Sequence, residues 1–380
     1  MKSIRTLLKV IGSLLIGFAL GLLIAIAGIA IFTDDTVAGF FDIFASTGIM
    51  ELGVAFLVGV GALCVAIATL IPLHEAGHLV GGLLGGYKFV SFRIFNYTII
   101  RTDNRLRIKK FAIAGTGGQC LLSPPDRPIE KIPTALYNLG GVLANILTLV
   151  LLLPIMWLPI NPFISEAVLI FLLTNAIIIL MNGIPLKLGG IGNDGHNMIE
   201  ILRNPAAKSG MIAQLRANAL IQNGMRPKDM PDDLFAVPEH INYKNALEIS
   251  MPMMAASRLI DEMRFDEALE AFEKLYAVRS EIMPLYVKEI ACELAYLRLV
   301  VGQTQKAEAL LDKELRQYAE SYRRFMSSKE RLLFAIALYL DGNREKAVEI
   351  YDNLNARRNN YLLRGEVMSD LALMDANLHG

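Results

Sequence analysis

The first half of the chain is a succession of long apolar runs separated by short polar segments. After Lys2, Arg5 and Lys9, an uncharged run covers Val10 to Phe32, 23 residues. A second covers Leu52 to Leu73, 22 residues, and a third runs from Leu136 to Leu158; a fourth apolar run, carrying the one charge of Glu166, extends from about Ile164 to Pro185. About 20 apolar residues suffice to cross a bilayer as a helix, so the pattern predicts four spans. The first run is too long for the apolar core of a signal peptide and ends in no clear small-residue cleavage pattern, which predicts an uncleaved span.

The polar segment Gly85 to Ala135 changes pattern. It holds nine basic residues against three acids. Basic residues accumulate on the cytoplasmic side, so this loop and the basic N-terminus are both expected inside, as two intervening spans require. Four spans then place both termini in the cytoplasm and bring the inner ends of spans two and four to one side. Within the loop Val90, Phe92 and Ile94 alternate with polar neighbours, and after a turn at Asp103-Asn104 Leu106 and Ile108 alternate with Arg105, Arg107 and Lys109. This predicts a cytoplasmic β-hairpin, its basic face toward water and anionic head groups.

The second half is polar. Residues 1–194 carry 13 basic and 10 acidic side chains and residues 195–380 carry 24 and 27, so the overall 54% hydrophobic content averages a membrane half and a soluble half. In the soluble half a spacing recurs: Ala256, Ala268 and Phe272 are matched by Ala295, Ala307 and Leu311, then by Ala335, Ala347 and Tyr351. Gly302 and Gly342 stand five before the second alanine of the last two sets. Such spacing predicts paired antiparallel helices and resembles a tetratricopeptide array of longer period, with an ordinary helical bundle as the alternative. Between the halves, Asn204 to Asn242 contains four prolines and an apolar helix near Met211 to Gln222, and reads as a partly structured linker. The expected fold is mainly α: a polytopic membrane domain over 1–200, a linker over 201–242 and a soluble helical domain over 243–380.

Candidate chemistry lies at the end of the second span, in Leu73-His74-Glu75-Ala76-Gly77-His78. On a helix, histidines at i and i+4 share a face and can bind one metal ion, and Glu75 can reach a water beside it and take its proton. Ionisable residues at membrane depth are costly and mark functional sites. A catalytic zinc site wants a third protein ligand. Glu166 sits about 40 Å along its helix from Asp194 at 1.5 Å per residue, too far to join; Asp194 and His196 remain. The scattered Cys64, Cys120 and Cys292 fit no disulfide framework or zinc ribbon, and no basic cluster with interleaved aromatics suggests nucleic acid.

These residues resemble the site-2 proteases, intramembrane zinc metalloproteases. The likeness covers roughly residues 50–200. It rests on His74-Glu75-Ala76-Gly77-His78, on Gly141-Val142-Leu143-Ala144-Asn145, and on Asn182-Gly183-Ile184-Pro185 followed by Asn193-Asp194-Gly195. The resemblance implies His74, His78 and Asp194 as ligands of one zinc ion, Glu75 as the base, Asn145 as a group near the scissile peptide, and a membrane-associated hairpin where Phe89 to Ala114 falls. A plain interhelical hydrogen-bonding role is the other reading of Asn145. Val142 stands where that family usually has proline, Asn193 where it usually has leucine, and the interval from Asn182 to Asp194 is longer than its common pattern.

The expected function is therefore hydrolysis of peptide bonds within or near transmembrane segments or signal peptides of membrane proteins, at a cell membrane. The helical repeats would offer a concave face to a protein partner. A metal or solute transporter would place further polar residues along a path across the membrane, and a catalytically silent scaffold would not need Glu75 between the histidines.

Overall fold

The computed structural model describes residues 48–102, 105–110, 117–188 and 190–379. The expected first span, 10–32, and the turn at Asp103-Asn104 lie outside the described residues. Three stretches within them are long and apolar enough to cross a membrane: Ile49–Leu84, Ile129–Trp157 and Pro162–Gly183. Helix α1 is Ile49–Leu84, α2 is Ala135–Leu152 with a 3-10 turn after it, and α3 is Pro162–Gly183. Large apolar side chains along them, among them Phe56, Leu57, Leu147, Leu151, Ile177 and Leu180, are exposed, the surface expected of helices solvated by lipid.

By contacts the chain divides into two units. One comprises 1–65, of which 48–65 are described, and 156–171. In it Gly59 faces Glu166, whose Oε1 would lie 3.4 Å from an added Cβ. The other comprises 66–155 and 172–380 and contains the candidate site.

The sheet is larger than a hairpin. Strands β1 (Lys88–Ile94), β2 (Tyr97–Thr102), β3 (Arg105–Lys110) and β4 (Gly118–Ser123) form an antiparallel sheet in the order β3-β2-β1-β4. The runs around Val90 and Leu106 are therefore not partners, because β2 lies between them. β2 was hidden by the consecutive Ile99 and Ile100, which blur alternation. A two-residue connection, Phe95-Asn96, joins β1 to β2 with Phe95 at φ 49°. A second correction concerns Arg93, counted above with the basic loop. A register shift between Phe89 and Ser91 changes the phase of β1, and Ser91 and Arg93 both end on the buried side, Arg93 at 2% exposure.

Residues 194–222 form two helices, α4 (Asp194–Arg203) and α5 (Pro205–Gln222). The Asn204 side chain accepts from the amides of Ala206 and Ala207, capping α5. Ile201 of α4 and Met211, Ile212 and Leu215 of α5 share a core with Tyr87, Cys120, Leu122 and Ile132, so α5 is seated beneath the sheet.

The polar half contains α6 (Ala246–Asp261), α7 (Phe265–Ala277), α8 (Pro284–Val300), α9 (Thr304–Leu310), α10 (Lys313–Tyr322), α11 (Ser327–Ala335), α12 (Arg344–Arg357) and α13 (Arg364–His379). The six spaced alanines fall on α6/α7, α8/α9 and α11/α12 and are each at most 1% exposed. The turn positions agree too. Gly302 and Gly342 have φ +78° and +61°, and Met263, five before Ala268, takes φ +59°. A left-handed conformation costs a side-chain-bearing residue roughly 1–2 kcal/mol, and Met263 is 44% exposed, with little packing to lose. Met263→Gly is therefore expected to stabilise the protein by about 1 kcal/mol, read as a higher denaturation midpoint at unchanged helix content.

Candidate metal centre

The C-terminal part of α1 carries His74 and His78 on one face, their ring centroids 4.9 Å apart and nearly perpendicular. Glycines bring α2 against that face. A Cβ added to Gly77 would lie 2.2 Å from the Gly140 carbonyl oxygen, one on Gly140 would lie 2.3 Å from that of Gly77, and one on Gly81 would lie 2.0 Å from that of Leu136. The backbones touch, as small residues at membrane helix crossings allow.

Hydrogen bonds fix the ring tautomers, beginning from backbone carbonyls, which can only accept. His78 Nδ1 lies 2.7 Å from the Tyr137 carbonyl and must donate to it, leaving Nε2 with a lone pair. For His74 the logic passes through two buried amides. Asn175 Nδ2 donates to the Asn145 carbonyl at 2.9 Å, so Asn175 Oδ1 accepts from Asn145 Nδ2 at 2.7 Å. Asn145 Oδ1 then accepts from His74 Nδ1 at 3.1 Å, and His74 also presents a bare Nε2.

The third group is Asp194, the first residue of α4. Its Oδ2 lies 3.0 Å from His74 Nε2 and 3.3 Å from His78 Nε2, and the two Nε2 atoms are 3.2 Å apart. His74, His78 and Asp194 are the one such group among the described residues whose ligand atoms lie this close together. Three lone pairs facing one another at these distances require a cation between them, a proton or a metal ion. With protons there, burial of Asp194 acts to raise its pKa, but the hydrogen bonds and charges of His74 and His78 outweigh it and hold the carboxyl at about 2. Two neutral imidazoles and one carboxylate make a donor set that suits zinc, each imidazole oriented from behind by a hydrogen bond.

Gly141 leaves the room that an ion needs. A Cβ there would lie 2.5 Å from His74 Nε2 and 2.6 Å from His78 Nε2. Gly141→Ala is therefore expected to keep the helices but lower zinc affinity by at least tenfold, or about 1.4 kcal/mol, measured by competition with a chromogenic chelator.

Glu75 packs against the start of β4, where a Cβ on Gly118 would lie 2.4 Å from its Cγ and 2.6 Å from its Oε1. Arg93 reaches the same place, donating to the Gly118 carbonyl at 2.9 Å and the Phe95 carbonyl at 3.3 Å. Burial lowers the Arg93 pKa and the Glu75 carboxylate partly offsets this, so a buried cation stands near the candidate base.

His196 takes no part in the cluster. Its ring packs against Gly192, where a Cβ would lie 2.4 Å from Cδ2, and its Nε2 is 3.8 Å from Glu200. Asn193, by contrast, clamps the turn that presents Asp194. Its Nδ2 donates to the carbonyls of Met181 and Ile184, both at 2.6 Å, and its Oδ1 accepts from Leu186 N at 3.1 Å and His196 N at 2.9 Å. A leucine could make none of these bonds. The long interval before Asp194 is taken up by a small hairpin, Lys187–Leu188 paired with Ile191–Gly192. Asn175 and the clamp at Asn193 escaped the sequence reading; an amide in the middle of an apolar run was the available signal for Asn175. No family model, no curated protein and no solved structure matches this chain.

Proposed function

We propose that this protein is an intramembrane zinc metalloprotease that hydrolyses peptide bonds within or near transmembrane segments or signal peptides. One observation carries the reading: three bare ligand atoms converge beside Glu75, those of His74 and His78 from a helix long and apolar enough to span a membrane and that of Asp194 from the start of α4. Zinc held by these three side chains would act as a Lewis acid on the scissile carbonyl and make a water acidic near neutral pH. Glu75 takes the proton of the attacking water and passes it to the leaving amine. Asn145 and Asn175 act from behind, holding His74 in its ligating tautomer, and Asn193 holds Asp194 in place. Asn145 Nδ2 gives one N–H to Asn175, and its second N–H is the one with which Asn145 would serve a developing oxyanion.

A transmembrane substrate must unwind, because a helix hides its carbonyls, and an edge of the four-stranded sheet can hold the opened strand by added main-chain pairing. In this proposal the run 10–32 is a further span, both termini are cytoplasmic, and the spaced helix pairs form a tetratricopeptide-like array for a protein partner. Protein purified in detergent is expected to hold about one zinc ion per chain and, in liposomes, to cleave a single-span reporter peptide in a chelator-sensitive manner. Cleavage that survives complete removal of zinc would overturn the proposal.

A further inference from the structure

Outside the metal centre the most distinctive feature is an open-mouthed cavity of about 280 Å³ lined by residues of α5, α6, α8, α11 and α13. Its wall is apolar and adaptable, with Met230, Met253, Met254, Met326 and Phe272. Its polar lining is unbalanced. Glu289, Glu293, Glu366 and Asp370 line it against one cation, Arg331. Most of these charges are paired: Arg331 binds Glu293 at 2.5 Å and Asp370 at 2.8 Å, and Lys329, just behind, binds Glu289 at 2.7 Å. Glu366 is different. It lines the cavity, and no hydrogen bond or ion pair ties it among the described residues.

We propose that this cavity binds the lysine side chain of an extended peptide, the methionines covering its alkyl stem and Glu366 receiving its ammonium group. The volume accommodates a long side chain, and the body of the ligand lies toward the mouth, which Ser257 borders as an exposed residue. A lysine stem supplies apolar length and ends in the single charge that the cavity lacks. Burial, reinforced by Asp370 on the same helix and by Glu293 and Glu289 on α8 and opposed by Lys329 on α11, pushes the Glu366 carboxyl up to about 8. At pH 7 it is then mostly protonated, and an arriving ammonium should displace that proton. This inference stands apart from the protease reading, since the cavity and its charges involve no residue of the metal centre.

The test is calorimetric titration of the full-length protein in detergent with acetyl-Leu-Lys-Leu-amide, with acetyl-Leu-Met-Leu-amide and n-hexylamine as comparisons. Saturable binding of the lysine peptide alone is expected, with close to one proton released at pH 7 and almost none at pH 9.5, measured in buffers of differing ionisation enthalpy. Glu366→Gln should weaken it by at least about tenfold. Ser257→Trp, which blocks the mouth from the exposed side, should abolish it and serves if Glu366→Gln does not fold. Equal binding of the two peptides, undiminished affinity in Glu366→Gln or Ser257→Trp, or hexylamine binding as tightly as the lysine peptide would overturn the proposal; the last result would identify a free amine as the occupant.

Discussion

Glu75→Gln is expected to leave zinc bound and the helices intact while lowering peptide hydrolysis by about a hundredfold to ten-thousandfold, the usual contribution of a general base. The substitution is isosteric, so the close contact with Gly118 survives. It removes neither of the imidazoles nor the carboxylate that hold the ion. It does remove the negative charge beside Arg93, whose guanidinium keeps its bonds to the Gly118 and Phe95 carbonyls, so any loss of stability should be modest. The measurement is cleavage of a single-span peptide beside elemental analysis of the same preparation. Wild-type turnover in a zinc-loaded variant would remove Glu75 from the mechanism and with it the protease reading.

Asp194→Ala is expected to lose zinc and activity together, whereas His196→Ala keeps zinc. Sequence alone left these two residues as rivals, two positions apart. Asp194 Oδ2 lies 3.0 and 3.3 Å from the two imidazole nitrogens, while His196 faces Gly192 and Glu200. Removing Asp194 leaves two neutral ligands and strips the site of the one charge that offsets a divalent ion in a weakly polar setting, where such attraction is little screened. A loss of zinc affinity of at least a hundredfold, about 2.7 kcal/mol, is expected. His196→Ala removes a partly buried ring from α4 and should cost some stability and part of the activity. Zinc retained in Asp194→Ala but lost in His196→Ala would reverse the assignment.

The contrast between these residues shows where sequence reading stops. That His74 and His78 share a face follows from helical periodicity, and the candidacy of Asp194 followed from a carboxylate at the end of an apolar run. Tautomers do not follow. His74 presents a bare Nε2 because a carbonyl on α2 orients Asn175, which orients Asn145, which accepts from His74, a relay between residues 30 and 71 positions apart. No local pattern encodes it.

Composition and periodicity by themselves determined the division into an apolar and a polar half, the three membrane-length helices among the described residues, the His-Glu-x-x-His face and the buried alanines. All of these depend on side chains within a few turns of one another, or on how much apolar surface one element must cover. Tertiary structure alone decided the rest. It put β2 and β4 on either side of β1 and, through a register shift, buried Arg93. It set Met263 in the left-handed conformation that glycine takes at the two equivalent turns. It left Gly141 bare opposite two imidazoles and Glu366 in its cavity without a hydrogen-bond or ion-pair partner among the described residues. The physical reason is common to these cases: strand register, a void one methyl group wide and the balance of buried charge are settled by atoms that packing brings together from distant parts of the chain.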